Sequence, residues 1–190
     1  MKQHRSDTDI INDILQVETS HAAFRELIEK YQTPLYWHVR KIVLNHDDAD
    51  DILQNTFIKV WSAIPQFRQQ SKLYTWLFRI ATNEALTFLK QKNKNNTLSI
   101  DDLSSEWITK LRADPYFNGD ETELAMQKVL LLLPDKQRIV FNMRYYDEIP
   151  YEEMSEILET SVGALKASYH HAVKKIENYL QQSLNLSLNE

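Results

Sequence analysis

Residues 51–94 read DILQNTFIKVWSAIPQFRQQSKLYTWLFRIATNEALTFLKQKNK, and this stretch decides how the chain is read. Its first half spaces apolar residues as a helix does, with Leu53, Phe57, Val60, Trp61 and Ile64 on one stripe. Asp51, Asn55, Ile58 and Lys59 fall away from that stripe, and Gln54 lies at its edge. That outer face is either plain solvated surface with one stray isoleucine or a docking surface for another protein. Single exposed apolar residues are common, so the residues alone favour the solvated face. Pro65 breaks the helix, QFRQQSKLY is a polar loop, and a second helix starts near Thr75. Trp76, Leu77, Phe78, Ile80, Ala81, Ala85, Phe88 and Leu89 nearly encircle it, with Leu77, Ile80 and Phe88 expected in the core. Arg79, Thr82, Asn83, Thr87 and Lys90 form its one polar stripe. After the first turn, Lys59, Arg68, Lys72, Arg79, Lys90, Lys92 and Lys94 are basic and only Glu84 is acidic. A basic surface interleaved with aromatic rings suits single-stranded or partly melted nucleic acid, where phosphates meet charge and bases stack. Arg79 and Asn83, one turn apart beside the basic loop, are the first candidates for such a contact.

The whole chain carries a net charge of −5 over 190 residues, which conceals this contrast. Residues 1–96 balance at +2, residues 97–123 at −5 and residues 124–190 at −2. With so acidic a total, the chain alone should hold DNA weakly, because non-specific affinity is mostly phosphate neutralisation. A hydrophobic fraction of 43% supports a packed core. Only 2 glycines argue against glycine-rich phosphate loops and tight hairpins, and the absence of cysteine excludes disulfides and thiolate zinc sites. The histidines show no paired metal-ligand spacing and no Ser/His/Asp set can be placed, so no cofactor, metal or catalytic residue is expected. No apolar run approaches a membrane span and MKQHRSDTD lacks a signal-peptide core, so the expectation is a cytoplasmic protein without membrane insertion.

Working outward, every element reads as helix. Ile10, Ile11, Ile14 and Leu15 share helical spacing; Ser20 is the expected cap of a second helix; Pro34 is expected to open a third, ended by Asn45 and His46. Asp47, Asp48, Asp50 and Asp51 then suit the positive end of the next helix dipole. QKNKNN loses periodicity, and residues 95–121 read as an acidic linker, with a transient helix near Trp107 as its one candidate element. Leu124, Val129, Leu130, Leu132 and Leu133 start a second helical domain, followed by a helix from Asp135 with Ile139, Val140, Met143 and Tyr146 apolar. Tyr151–Leu158 is a short helix, Glu159–Ser161 a turn, and Ser161 the cap of a last helix burying Val162, Leu165, Tyr169, Ala172, Val173 and Ile176. This is a helix-turn-helix pattern. The last helix offers Gly163, Ala164, Ala167, His170, His171 and Lys174 outward, flanked by Lys166 and Lys175, with no acid between Thr160 and Ile176. Small residues early in the helix allow deep entry into a major groove, while Lys166 and Lys174 reach phosphates or base edges. The expected class is all-α: a helical domain over 1–94, a linker over 95–121, a helix-turn-helix domain over 122–181 and a tail over 182–190.

Two blocks together resemble a known family. DADDILQNTFIKVW with SKLYTWLFRIATNEAL is similar to the polymerase-docking and promoter-melting helices of extracytoplasmic-function sigma factors of bacterial RNA polymerase. LLPDKQRIVFNMRYYDEIPYEEMSEILETSVGALKASYHHAVKKI is similar to that family's C-terminal helix-turn-helix. The resemblance implies a protein that binds core RNA polymerase and directs promoter recognition, DNA melting and initiation, with an anti-sigma factor as a further expected partner. It implies polymerase docking by Asp51, Ile52, Leu53, Gln54, Asn55 and Ile58, with Asn55 standing where an acid is usual in the family. Lys72, Tyr74, Trp76, Arg79 and Asn83 would hold the melted start-proximal element. Ser161, Gly163, Ala164, Lys166, Ala167, His170 and Lys174 would meet the upstream promoter element, although Ser168, His171 and Val173 stand where arginine is frequent. The alternative is a stand-alone helix-turn-helix regulator without polymerase docking, which leaves residues 51–94 unexplained.

Overall fold

The structure, a computed structural model, describes residues 5–95 and 121–187, with side chains over 5–92 and 126–181. The chain divides into two compact units, Met1–Lys92 and Asn93–Glu190. All regular structure among the described residues is helical. The acidic linker and Trp107 lie outside the described residues.

In the first unit, α1 (Asp7–Ile14) begins at Ser6, whose hydroxyl accepts the Asp9 N–H at 3.2 Å. It buries Ile10, Ile11 and Ile14. Polar groups fasten it to the next helix: Arg5 pairs with Asp13 and Glu26, and Lys30 and the Tyr31 hydroxyl both donate to Asp7. Burial, helped by the Asp7 carboxylate, pushes the Tyr31 phenol well above its ordinary pKa.

The expected break at Pro34 does not occur. Pro34 lies inside a single helix, α2 (Ser20–Val43), which caps at Thr19 rather than Ser20. Its ring forfeits one backbone bond, but Pro34 is on the exposed side, where water can take up the freed carbonyl. Leu27, Leu35, Val39 and Ile42 bury the opposite side on both flanks of the proline, and this packing keeps the helix whole. The chain turns at Leu44, in the left-handed conformation with φ 65°, and Asn45 starts the next helix instead of ending the previous one. Its side chain accepts the Asp48 N–H at 2.9 Å.

Helix α3 (His46–Ala63) is rotated slightly from the expected stripe. It buries Ala49, Ile52, Thr56, Phe57 and Val60, whereas Leu53 is half-buried and Trp61 is 36% exposed. A 3-10 turn, Ile64–Gln66, leads into the loop. Helix α4 (Leu73–Asn95) starts before Thr75 and continues through the stretch expected to lose order. Leu77 is fully buried as expected, but Ile80 and Phe88 are half-buried and Trp76, Phe78, Ala81 and Ala85 make up the inner face. Thr82, expected on the polar stripe, is buried: its hydroxyl donates to the Phe78 carbonyl at 2.7 Å and lies 2.8 Å from His38 Nε2.

In the second unit, α5 (Glu121–Leu131) starts ahead of Leu124 and stops before Leu132, which is exposed. Pro134 caps α6 (Asp135–Tyr145) and Pro150 caps α7 (Tyr151–Leu158). Tyr146 stands at the end of α6 and is exposed, while Phe141 takes the core position. Glu159 closes α7 in the left-handed conformation, and α8 (Val162–Ser187) follows, continuing through the first residues of the expected tail. Helix α8 packs against α5, α6 and α7. Val129, Leu130, Leu133, Phe141, Ala172 and Ile176 form the core, with Tyr169 and Val173 at its edge. Val162 is half-buried. The buried Arg138 pairs with Asp135 at 2.8 Å. Burial lowers its pKa, and the carboxylate partly offsets this.

Candidate docking and nucleic-acid faces

The first unit carries an apolar groove between α2 and α3, of about 560 Å³. Phe24 and Ile28 form one wall and Leu53, Phe57, Ile58 and Trp61 the other, with Gln32 and Gln54 supplying amides. Trp61 is held by two rings: His21 stacks on it at 5.2 Å and Phe24 meets it edge-on at 4.8 Å. Of the residues expected at a docking face, Asp51, Gln54, Asn55 and Ile58 are exposed, and Ile58 is 65% exposed. Leu53 is half-buried in the groove wall. Ile52 is buried, so it is a core residue rather than part of the expected docking face. Sequence reading missed Phe24, Ile28 and Trp61 as surface, because helical spacing on each helix alone assigns them to the core. An apolar groove with a few amides and an exposed isoleucine can bury an apolar helix ridge of a partner protein.

A second groove lies between α3 and α4, lined by Ile58, Lys59, Ala63, Ile80, Asn83 and Glu84 among others. Ile58 lines both grooves. Asn83 is exposed here, and Lys59 is paired with Glu84. Lys92, further along α4, pairs with Asp48 at 2.6 Å. Two of the expected cations are therefore already engaged, and the face is less positive than its sequence. Lys72 is exposed just ahead of the helix, and Arg79 is half-buried. Tyr74 packs against Phe78 with centroids 4.0 Å apart. Trp76 is only 9% exposed and packs against Phe67 at 4.7 Å. The structure thus places Asn83, Arg79, Tyr74 and Lys72 with at least part of their side chains accessible, and Trp76 as the support under the loop.

In the second unit the turn between α7 and α8 has the expected cap: the Ser161 hydroxyl accepts the Ala164 N–H at 3.3 Å. Gly163, Ala164, Lys166, Ala167, His170 and Lys174 are all exposed on α8. A Cβ added to Gly163 would meet no atom within 4 Å, so its surface is open. Lys166 leans over the Tyr151 ring at 5.6 Å, and Arg144 approaches the same ring at 5.3 Å. Among the described residues no group of three His, Asp or Glu side chains could hold a metal ion, and no helix is long and apolar enough to cross a membrane.

These two units match two family models in chain order. Residues 27–95 match Sigma-70 region 2, and residues 123–176 match Sigma-70, region 4. A region 2 bundle followed by a region 4 helix-turn-helix defines a sigma-70-class factor. The chain is 30% identical over 167 residues to the ECF RNA polymerase sigma factor SigW of Bacillus subtilis, covering 84% of this chain and 89% of that one. It is 28% identical over 189 residues to the ECF RNA polymerase sigma-E factor of Haemophilus influenzae, covering 95% and 98%. This chain belongs to the ECF RNA polymerase sigma factors. Its fold is shared with CnrH, solved in complex with the cytosolic domain of CnrY, at a TM-score of 0.67 and 21% identity, covering 93% of this chain and 97% of that one. The sigma factor RpoE, solved with the anti-sigma factor NepR from Bartonella quintana, aligns at a TM-score of 0.66 and 22% identity, covering 83% and 96%.

Proposed function

We propose that the exposed face of α3 docks on core RNA polymerase, with Asp51, Gln54, Asn55 and Ile58 in contact and the groove beside them receiving an apolar ridge of the polymerase. The observation that carries this reading is the apolar groove bordered by exposed Gln54 and Ile58 in the region 2 unit. Asn83, Arg79, Tyr74 and Lys72 hold the melted start-proximal strand in the neighbouring groove, with Trp76 buried behind them. Unstacking a base costs a few kcal/mol, which amide and ring contacts around an extruded base can offset. The face of α8 that carries Ser161, Gly163, Ala164, Lys166, Ala167, His170 and Lys174 meets the upstream duplex and sets register. The role is positional, with polymerase supplying the chemistry, so the chain itself is no enzyme. The site of action is the cytoplasm. An anti-sigma factor competes for the region 2 groove, a reading supported by its apolar lining and by the partner seen with the RpoE fold relative. The test is transcription from a promoter template by purified core polymerase. Added chain should convert non-specific initiation into a defined transcript, and Gln54→Ala should lower the polymerase affinity of a chain whose circular dichroism is unchanged. Full polymerase affinity in that variant would remove the docking assignment.

A further inference from the structure

The face of α8 carries two adjacent exposed histidines, His170 and His171. Helical spacing sorts the exposed residues into two adjacent ridges. Lys166, His170 and Lys174 follow one another at four-residue steps, so one imidazole stands between two ammonium groups. Gly163, Ala167 and His171 make the neighbouring ridge, in which two small residues leave a trough that ends at the second imidazole. The two rings lie 6.1 Å apart and tilted by 53°, and both are exposed. Neither belongs to a group of three metal-ligating side chains among the described residues.

No carboxylate is available to either ring from its own helix, since none lies between Thr160 and Ile176 and the next, Glu177, is six residues beyond His171. The charged residues of the packed helices are Glu121, Glu123 and Lys128 on α5; Asp135, Lys136, Arg138 and Arg144 on α6; and Glu152, Glu153 and Glu156 on α7, with Glu159 at its C-cap. Among the described residues neither imidazole bonds or pairs with any of them; each has the other ring as its contact. On the ridge itself Lys166 and Lys174 flank His170 with no carboxylate between them. A DNA phosphate supplies an anion, and an imidazolium, with both nitrogens as donors, is what it would hold.

We propose that His170 and His171 take up protons when α8 contacts the upstream duplex, so that the second unit grips DNA more firmly as pH falls through the histidine range. This rests on the reading of α8 as the duplex-contacting helix. The linkage sign follows from the states involved: DNA favours the charged imidazoles, so the complex binds more protons than the free surface, and acidification drives association. Each imidazolium that neutralises a phosphate also adds one released counterion.

The test uses polymerase holoenzyme assembled with this chain and a labelled upstream-element duplex, measured at about pH 8 and about pH 6 over a range of salt. Wild type should tighten by about tenfold on acidification, and its log–log salt slope should steepen by about 2 at the lower pH. For the double variant His170→Gln, His171→Gln the readout is the ratio of affinities at the two pH values, whatever its affinity at the higher pH, and that ratio should be less than about twofold. Lys166→Ala is measured alongside. If Lys166→Ala weakens duplex binding but the histidine variant keeps the wild-type pH profile, the proton linkage is wrong and the placement of α8 stands. If Lys166→Ala is also without effect, the placement of α8 on DNA is itself wrong.

Discussion

The α4 face of the first unit and the α8 face of the second are both polar surfaces of exposed helices, and they manage charge in opposite ways. On the first, Lys59 is paired with Glu84 and Lys92 with Asp48, and the amides of Gln66 and Asn83 line the groove with Ile58 and Ile80. On the second, Lys174 and the two histidines have no acidic partner among the described residues, and Gly163 and Ala164 stand in the first turn of the helix. Internal pairing suits a surface that takes an unstacked base or an apolar partner, where stacking and shape set affinity. Open cations around small residues suit a helix that must approach a duplex closely and neutralise phosphates. By net charge alone residues 1–96, at +2, are the more positive part, against −2 for residues 124–190.

The largest expected effect concerns whether the two units stand alone. Phe141 is buried among Val129, Leu133 and Ile176, so Phe141→Ala should destabilise the second unit by about 3–5 kcal/mol. Hydrogen exchange should show loss of protection in residues 126–181 while residues 5–92 keep theirs. Equal loss in both would mean that the units fold as one, and the comparison between separate faces would fail. A smaller effect is expected from Ile58→Lys. Ile58 is exposed, so stability should change by less than about 0.5 kcal/mol, while polymerase affinity should fall more than about tenfold. Unchanged affinity by titration calorimetry would return the α3 face to plain solvated surface. The smallest effect is at Gly163. Because a Cβ there meets nothing, Gly163→Ala should raise the melting free energy of the second unit by less than about 1 kcal/mol. If α8 lies deep in a groove, the same methyl should nevertheless weaken duplex binding, which separates steric approach from stability.

Much of this was legible in the residues. The short helix Tyr151–Leu158 appears where read, because Pro150 before it and the left-handed Glu159 after it are local stops that tertiary packing does not move. Ser161 caps α8 as expected, because the cap needs only its own turn. Pro34 misled, since the signal for a helix start is local while the helix is maintained by Leu27, Leu35, Val39 and Ile42 packing on either side. The stripe of α3 was displaced for a different reason. Thr56 counts as polar in sequence, yet its hydroxyl donates to the Ile52 carbonyl at 2.7 Å, which leaves a methyl to bury. Thr82 is hidden in the same way on α4. The apolar groove needed two helices at once: Phe24 and Trp61 look like core on their own helices and line a groove only when α2 and α3 meet. The ion pairs that neutralise Lys59 and Lys92 join residues 25 and 44 positions apart, beyond any local pattern.

The division of labour between the two faces is tested most directly by crossing one variant on each with two probes. Holoenzyme carrying Asn83→Ala or Lys166→Ala would be titrated with a single-stranded start-proximal oligonucleotide and with an upstream duplex. Lys166→Ala should weaken the duplex by about 1–3 kcal/mol and leave the single strand unchanged. Asn83→Ala should weaken the single strand and leave the duplex unchanged. If both variants lose the same affinity on both probes, the two faces are not separate DNA contacts and the account is contradicted.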